Sequence, residues 1–79
     1  MNKYHIGDIF VSIPSFTIGE DDKTVYTVIG IDVRRNNQYF YEIQYYRKDI
    51  NAPYSCYEHE QDIDRWINMN FVTHYPVIK

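Results

Sequence analysis

Apolar and polar residues alternate most regularly over residues 25–47, VYTVIGIDVRRNNQYFYEIQYYR, which reads as a long β-hairpin. In the second arm Tyr39, Tyr41, Ile43 and Tyr45 share one face, while Phe40, Glu42, Gln44 and Tyr46 share the other. Side chains alternate across a strand, so the first set is the expected core face. The first arm is rich in Val, Ile, Thr and Tyr, which pack well on a pleated surface. Its alternation slips. Tyr26 and Val28 share a face with Ile31 and Val33 only if one extra residue is inserted, and Gly30 marks where that bulge is expected. Between the arms, residues 34–38, RRNNQ, supply the turn, because Asn tolerates the left-handed backbone conformation.

Residues 5–13, HIGDIFVSI, predict a first strand with Ile9, Val11 and Ile13 on one face and Asp8, Phe10 and Ser12 on the other. Pro14 cannot donate to a ladder and ends it. Residues 14–24, PSFTIGEDDKT, then have the composition of a solvated loop of roughly ten residues. After the hairpin, residues 48–53, KDINAP, read as a second connection and residues 54–57 as a short strand containing Cys56. The period then changes. Ile63, Trp66 and Ile67 stand at i, i+3 and i+4 and predict a short helix, with Asp62, Asp64, Arg65 and Asn68 on its wet face. Acids at positions 58, 60, 62 and 64 suit the amino end of that helix through its dipole, and Asn70 suits a left-handed stop. Residues 71–79, FVTHYPVIK, predict a closing strand with Pro76 near an edge.

Composition limits the scale of this plan. Seventy-nine residues make one domain, residues 1–79, small enough that most of the chain must serve a single core. A formal charge of −3 provides no basic field to gather phosphates. No apolar run of roughly 7 to 15 residues marks a signal peptide, and none approaches the ~20 residues that span a bilayer. The lone Cys56 cannot form an internal disulfide. The expectation is a cytoplasmic protein that does not engage membranes.

Candidate chemistry is sparse. Cys56 and His59 form a Cys-x-x-His half-motif, with His5 and His74 as conceivable neighbours, whereas structural zinc takes four ligands in paired motifs; no metal or cofactor is expected. Glu58, Glu60, Asp62 and Asp64 alternate along the chain and read as a solvated, helix-capping run, not a general acid/base pair. There is no phosphate loop, nucleophile elbow or Cys/His dyad, so enzyme activity is not expected. The acid clusters at residues 20–22 and 58–64 raise the idea of a DNA mimic, which the arginines at 34, 35, 47 and 65 dilute. The tyrosines of the hairpin's second arm serve either as a core or as a base-stacking surface beside Arg34, Arg35, Arg47 and Lys48. A small barrel needs large side chains to fill it, which favours the core.

The order of segments resembles the SH3-like small β-barrel. It is carried by IGDIFVSI, VYTVIGIDV, YFYEIQYY, YSCYEHEQDIDRWI and FVTHYPVIK. The acidic passage leading into D-I-D-x-W-I, followed by a closing x-Y-P-V strand, looks like small accessory and host-takeover proteins of phages and mobile elements. That resemblance implies a mostly β, five-stranded SH3-like barrel with one short helix before the last strand. In such proteins ligands meet aromatic residues around the loops at one end, where Phe16 and Tyr57 would contribute. The resemblance also implies a partner: a host protein or a component of a bacterial defence system, which the chain would inhibit.

The expected function is therefore a non-enzymatic protein-binding module. Phe16, Phe40, Tyr46 and Tyr57 are the expected exposed anchors, since none falls on the core face, and Glu58 and Glu60 are the expected polar contacts. The alternative is a barrel that binds nucleic acid or nucleotides. A third reading is a homo-oligomer that pairs through the edge strand at residues 71–79.

Overall fold

A computed structural model of the chain describes residues 3–12, 24–47 and 50–77. Phe16 and the rest of the acidic first loop up to residue 23 lie outside the described residues. Five antiparallel strands form one sheet: β1 (Ile9–Ser12), β2 (Val25–Arg34), β3 (Gln38–Arg47), β4 (Ala52–His59) and β5 (Val72–Tyr75), with one helix, α1 (Glu60–Asn68), before the last strand. Their order across the sheet is β4-β3-β2-β1-β5. The architecture is mostly β, as expected. β4 and β5 are the two edges and do not pair, so the sheet is open and α1 covers its inner face.

The hairpin forms as its pattern predicts. Asn36 and Asn37 both adopt positive φ (64° and 57°), and the Gln38 N–H bonds back to the Arg35 carbonyl, the arrangement that matches the twist of two paired strands. Register runs from Arg34↔Gln38 to Gly30↔Glu42, then shifts so that Val28 pairs with Ile43. Ile29 is the extra residue. The shift returns Tyr26 and Val28 to the face of Ile31 and Val33, beside Tyr41 and Ile43.

The first strand reverses the simplest reading of its alternation. Phe10 points inward between Asp8 and Ser12, both buried, whereas Ile9 and Val11 lie on the outer face, half-buried. A turn before the strand explains this. The Asp8 N–H closes on the His5 carbonyl, with Gly7 at φ 100° in the third position. Gly7 then donates to Val28, and Val28 donates to the Asp8 carbonyl, so two residues of one strand face one of the next. This is a bulge led by a left-handed glycine. The buried polar groups are satisfied: Ser12 Oγ accepts from the Thr24 N–H at 2.9 Å, and Asp8 accepts three bonds described below.

The core comprises Tyr4, Phe10, Val28, Tyr41, Ile43, Ile63 and Val72. Each large apolar side chain so buried contributes on the order of 1.5–3 kcal/mol. α1 supplies Ile63 fully, and Trp66 and Ile67 half-buried, as the 3.6 period predicts. His59 caps its start by accepting the Gln61 N–H on Nδ1 at 3.0 Å. At its end Asn70 is left-handed (φ 61°); the Phe71 N–H reaches the Trp66 carbonyl and the Asn70 N–H the Ile67 carbonyl. That pair of bonds is the Schellman stop, and it brings Phe71 back beside Trp66. Among the described residues no helix is long and apolar enough to cross a membrane.

Candidate functional site

β3 and β4 pair through Phe40↔His59, Glu42↔Tyr57, Gln44↔Ser55 and Tyr46↔Pro53 on the face away from α1. Three of the expected anchors, Phe40, Tyr46 and Tyr57, therefore share the outer face of adjacent strands. Tyr46 and Tyr57 are 53% and 52% exposed. Phe40 is half-buried. The Arg34 guanidinium lies 4.0 Å over its ring and 5.9 Å from that of Tyr57, and the His59 ring meets it edge-on at 4.8 Å. Arg34 is fixed there by Asp32 at 2.9 Å. The Tyr46 hydroxyl donates to the Asn51 side-chain carbonyl.

Register extends this face to the other edge. Ser55, Gln44, Thr27, Ile9 and Tyr75 form one uncharged row across all five strands. Tyr75, at 56% exposed, ends that row. Its place on this face is not legible in the sequence, because the face of the closing strand depends on how it pairs with the first.

Glu58 and Glu60 do not join this surface. Glu58 lies on the inner face, where the Cys56 thiol donates to it at 3.4 Å. Glu60 accepts the Tyr41 hydroxyl at 2.7 Å and the Lys3 N–H at 3.1 Å. Asp64, expected to face water, takes the Tyr4 hydroxyl at 2.5 Å and the Lys3 ammonium at 2.7 Å. Burial, and then these carboxylates, push both phenols well above the ordinary tyrosine range, so they remain donors at any physiological pH. The acids of the helix start thus bind the amino-terminal segment to α1.

Asp8 ties both ends of the described chain together. Its carboxylate accepts the His5 N–H at 3.2 Å, the Val77 N–H at 2.9 Å and His74 Nε2 at 2.9 Å. Burial opposes ionisation, but the Val77 amide, His74 and the His5 amide outweigh it and hold the carboxyl below its usual range. An ionised carboxylate only accepts, so the proton sits on His74 Nε2.

The Cys-x-x-His half-motif is split by strand geometry. Cys56 faces the inner side and His59 the outer, and among the described residues no three His, Cys, Asp or Glu side chains converge on a metal position. Of the tyrosines considered for base stacking, Tyr41 is fully buried and Tyr39 and Tyr45 are half-buried.

On the inner face, a cleft of about 270 Å³ opens beside the carboxyl end of α1. Tyr26, Tyr45, Trp66 and Phe71 line it, with Cys56 and Glu58 from β4. Burial, and then Glu58, push the Cys56 thiol up to about 11, so it stays protonated and is a poor nucleophile at neutral pH. No family model, curated protein or solved structure matches the chain.

Proposed function

We propose that the chain is a non-enzymatic protein-binding module on an SH3-like plan, docking a folded partner on the outer face of its sheet. The observation that carries this reading is the set of three tyrosines, Tyr46, Tyr57 and Tyr75, each more than half exposed on one face. Between them runs an uncharged row of Ser, Gln, Thr and Ile. Tyrosine offers large contact area at low entropic cost, and small hydroxyl and amide side chains adapt their hydrogen bonds around it. The strand order and the helix before the last strand support the SH3-like assignment. The likeness to small phage proteins supports a host or bacterial defence protein as the partner, with inhibition as the outcome.

The test is comparative capture from bacterial lysate, with mass spectrometry of the retained proteins. Wild type is set against a Tyr46→Ser/Tyr57→Ser variant whose fold is checked by circular dichroism. A protein held by the wild type should be lost by the variant. Identical retention by both, or recovery of nucleic acid alone, overturns the reading.

A further inference from the structure

The inner-face cleft lies on the side of the sheet opposite the proposed docking surface, and its lining is selective. Three of its rings are inclined to one another instead of stacked flat: Tyr26 and Tyr45 have centroids 5.0 Å apart at 54°, and Tyr26 and Trp66 are 6.1 Å apart at 40°. Together they make an aromatic wall of the cleft. Among the described residues, Glu58 is the one formally charged side chain in the lining. The row of rings continues to Tyr54, 5.6 Å from Tyr45, and there the chain's own Arg47 guanidinium sits 4.9 Å over the ring face. The rim of this wall already holds a cation.

Aromatic faces attract cations through their quadrupole, most strongly where water is partly excluded. A half-buried carboxylate among rings gains further from a counter-charge. Hydrogen-bond supply then narrows the class. A primary ammonium brings three N–H donors. Here the Ser12 hydroxyl already accepts from the Thr24 N–H, and the Glu58 carboxylate takes the Cys56 thiol. A fully alkylated ammonium needs no acceptor: its methyl groups pack on the ring faces while its charge still meets Glu58. A volume of about 270 Å³ falls just under the range of ~300–1,000 Å³ typical of drug-sized ligands, which suits a head group more than a large molecule.

We propose that the cleft binds an alkylated ammonium group, with Tyr26, Tyr45 and Trp66 presenting ring faces and Glu58 the counter-charge. The group is the trimethylammonium head of a small metabolite or of a modified lysine side chain.

Trp66 is the only tryptophan in the chain, so its fluorescence reports occupancy, and amide NMR shifts locate it. Tetramethylammonium, choline and the neutral choline isostere 3,3-dimethyl-1-butanol are titrated into wild type. Both cations should give saturable shifts at the cleft, with the isostere roughly tenfold weaker. Glu58→Gln, which keeps the shape and removes the charge, should narrow that gap several-fold without changing the far-ultraviolet circular dichroism. A trimethyllysine peptide binding more tightly than choline identifies a modified side chain as the source, and the reverse identifies a free metabolite; either supports the proposal. Equal binding of choline and its isostere overturns it, as does the absence of a saturable response to either cation in the wild-type protein.

Discussion

Gly7 and Gly30 sit at neighbouring bulges, yet their substitutions should differ. Gly7 holds φ 100°, and a Cβ there would lie 3.1 Å from Val77 Cγ2. Gly30 is not left-handed; its Cβ would meet the carboxylate end of Glu42 at 3.1 Å, a flexible neighbour. Gly7→Ala should therefore cost about 1–3 kcal/mol by urea denaturation and Gly30→Ala less than about 1 kcal/mol. Equal losses would contradict the left-handed assignment at Gly7. The alternation marks Gly30 as the bulge position, whereas the backbone places the left-handed strain at Gly7. Asp8 gives a second test at this scale. Burial opposes the charge of Asp8 and of Asp64, but their hydrogen bonds prevail and both carboxyls titrate low. A depressed folded pKa adds stability that is complete above the unfolded value of about 3.9 and is lost as pH falls through the folded one. The urea midpoint should hold from neutrality to about pH 5 and drop below about pH 4. Asp8→Asn should lose about 2–4 kcal/mol at pH 7, because it leaves buried donors poorly matched, and should flatten the acid limb. An Asp8→Asn/Asp64→Asn chain with the wild-type acid limb would remove these carboxyls as its cause.

The elements that local sequence determines were the legible ones. The hairpin follows from alternation and Asn-Asn, the bulge from a slip in that alternation, and the helix face from Ile63, Trp66 and Ile67. The helix stop follows from the left-handed tolerance of Asn70. It can be tested directly: Asn70→Gly should be neutral or slightly stabilising, whereas Asn70→Val should cost about 1–2 kcal/mol, because a β-branched side chain resists positive φ. Thermal melts of the two variants should separate accordingly; coincident melts would contradict the left-handed assignment at Asn70. The orientation of β1 was not legible. Its two alternating faces both carry apolar residues, and what turns Asp8 and Ser12 inward is hydrogen bonding to Val77, His74 and Thr24. No local pattern encodes partners so far along the chain. The candidate surface divides the same way. Tyr46 and Tyr57 follow from lying opposite the core face, but the cleft needs α1 and β5 in place before Trp66 and Phe71 meet Tyr26 and Tyr45.

At the scale of the whole molecule, an open sheet needs something other than edge pairing to hold its helix down. The amino-terminal segment does so. Tyr4 is buried with its ring edge-on to Phe10, Tyr41 and His74, at 5.4, 5.4 and 5.2 Å. Its N–H bonds to the Tyr41 hydroxyl, and its own hydroxyl reaches Asp64 on α1. One side chain thus joins β1, β3, β5 and the helix. Removing the hydroxyl alone leaves Asp64 paired with Lys3, so Tyr4→Phe should cost only about 1 kcal/mol. Tyr4→Ala also empties a core position and should cost about 3–5 kcal/mol. The distribution of the loss is the sharper readout. α1 packs on the sheet along one face, through Ile63, Trp66 and Ile67, so with the Tyr4 tie removed its amides should exchange through local opening in Tyr4→Ala, whereas the central amides of β3 should still exchange only with global unfolding. Native-state hydrogen exchange separates the two outcomes. Protection lost equally in α1 and β3 would mean that Tyr4 supports the core as a whole; protection lost first in α1 identifies it as the residue that fastens the helix to an unclosed sheet.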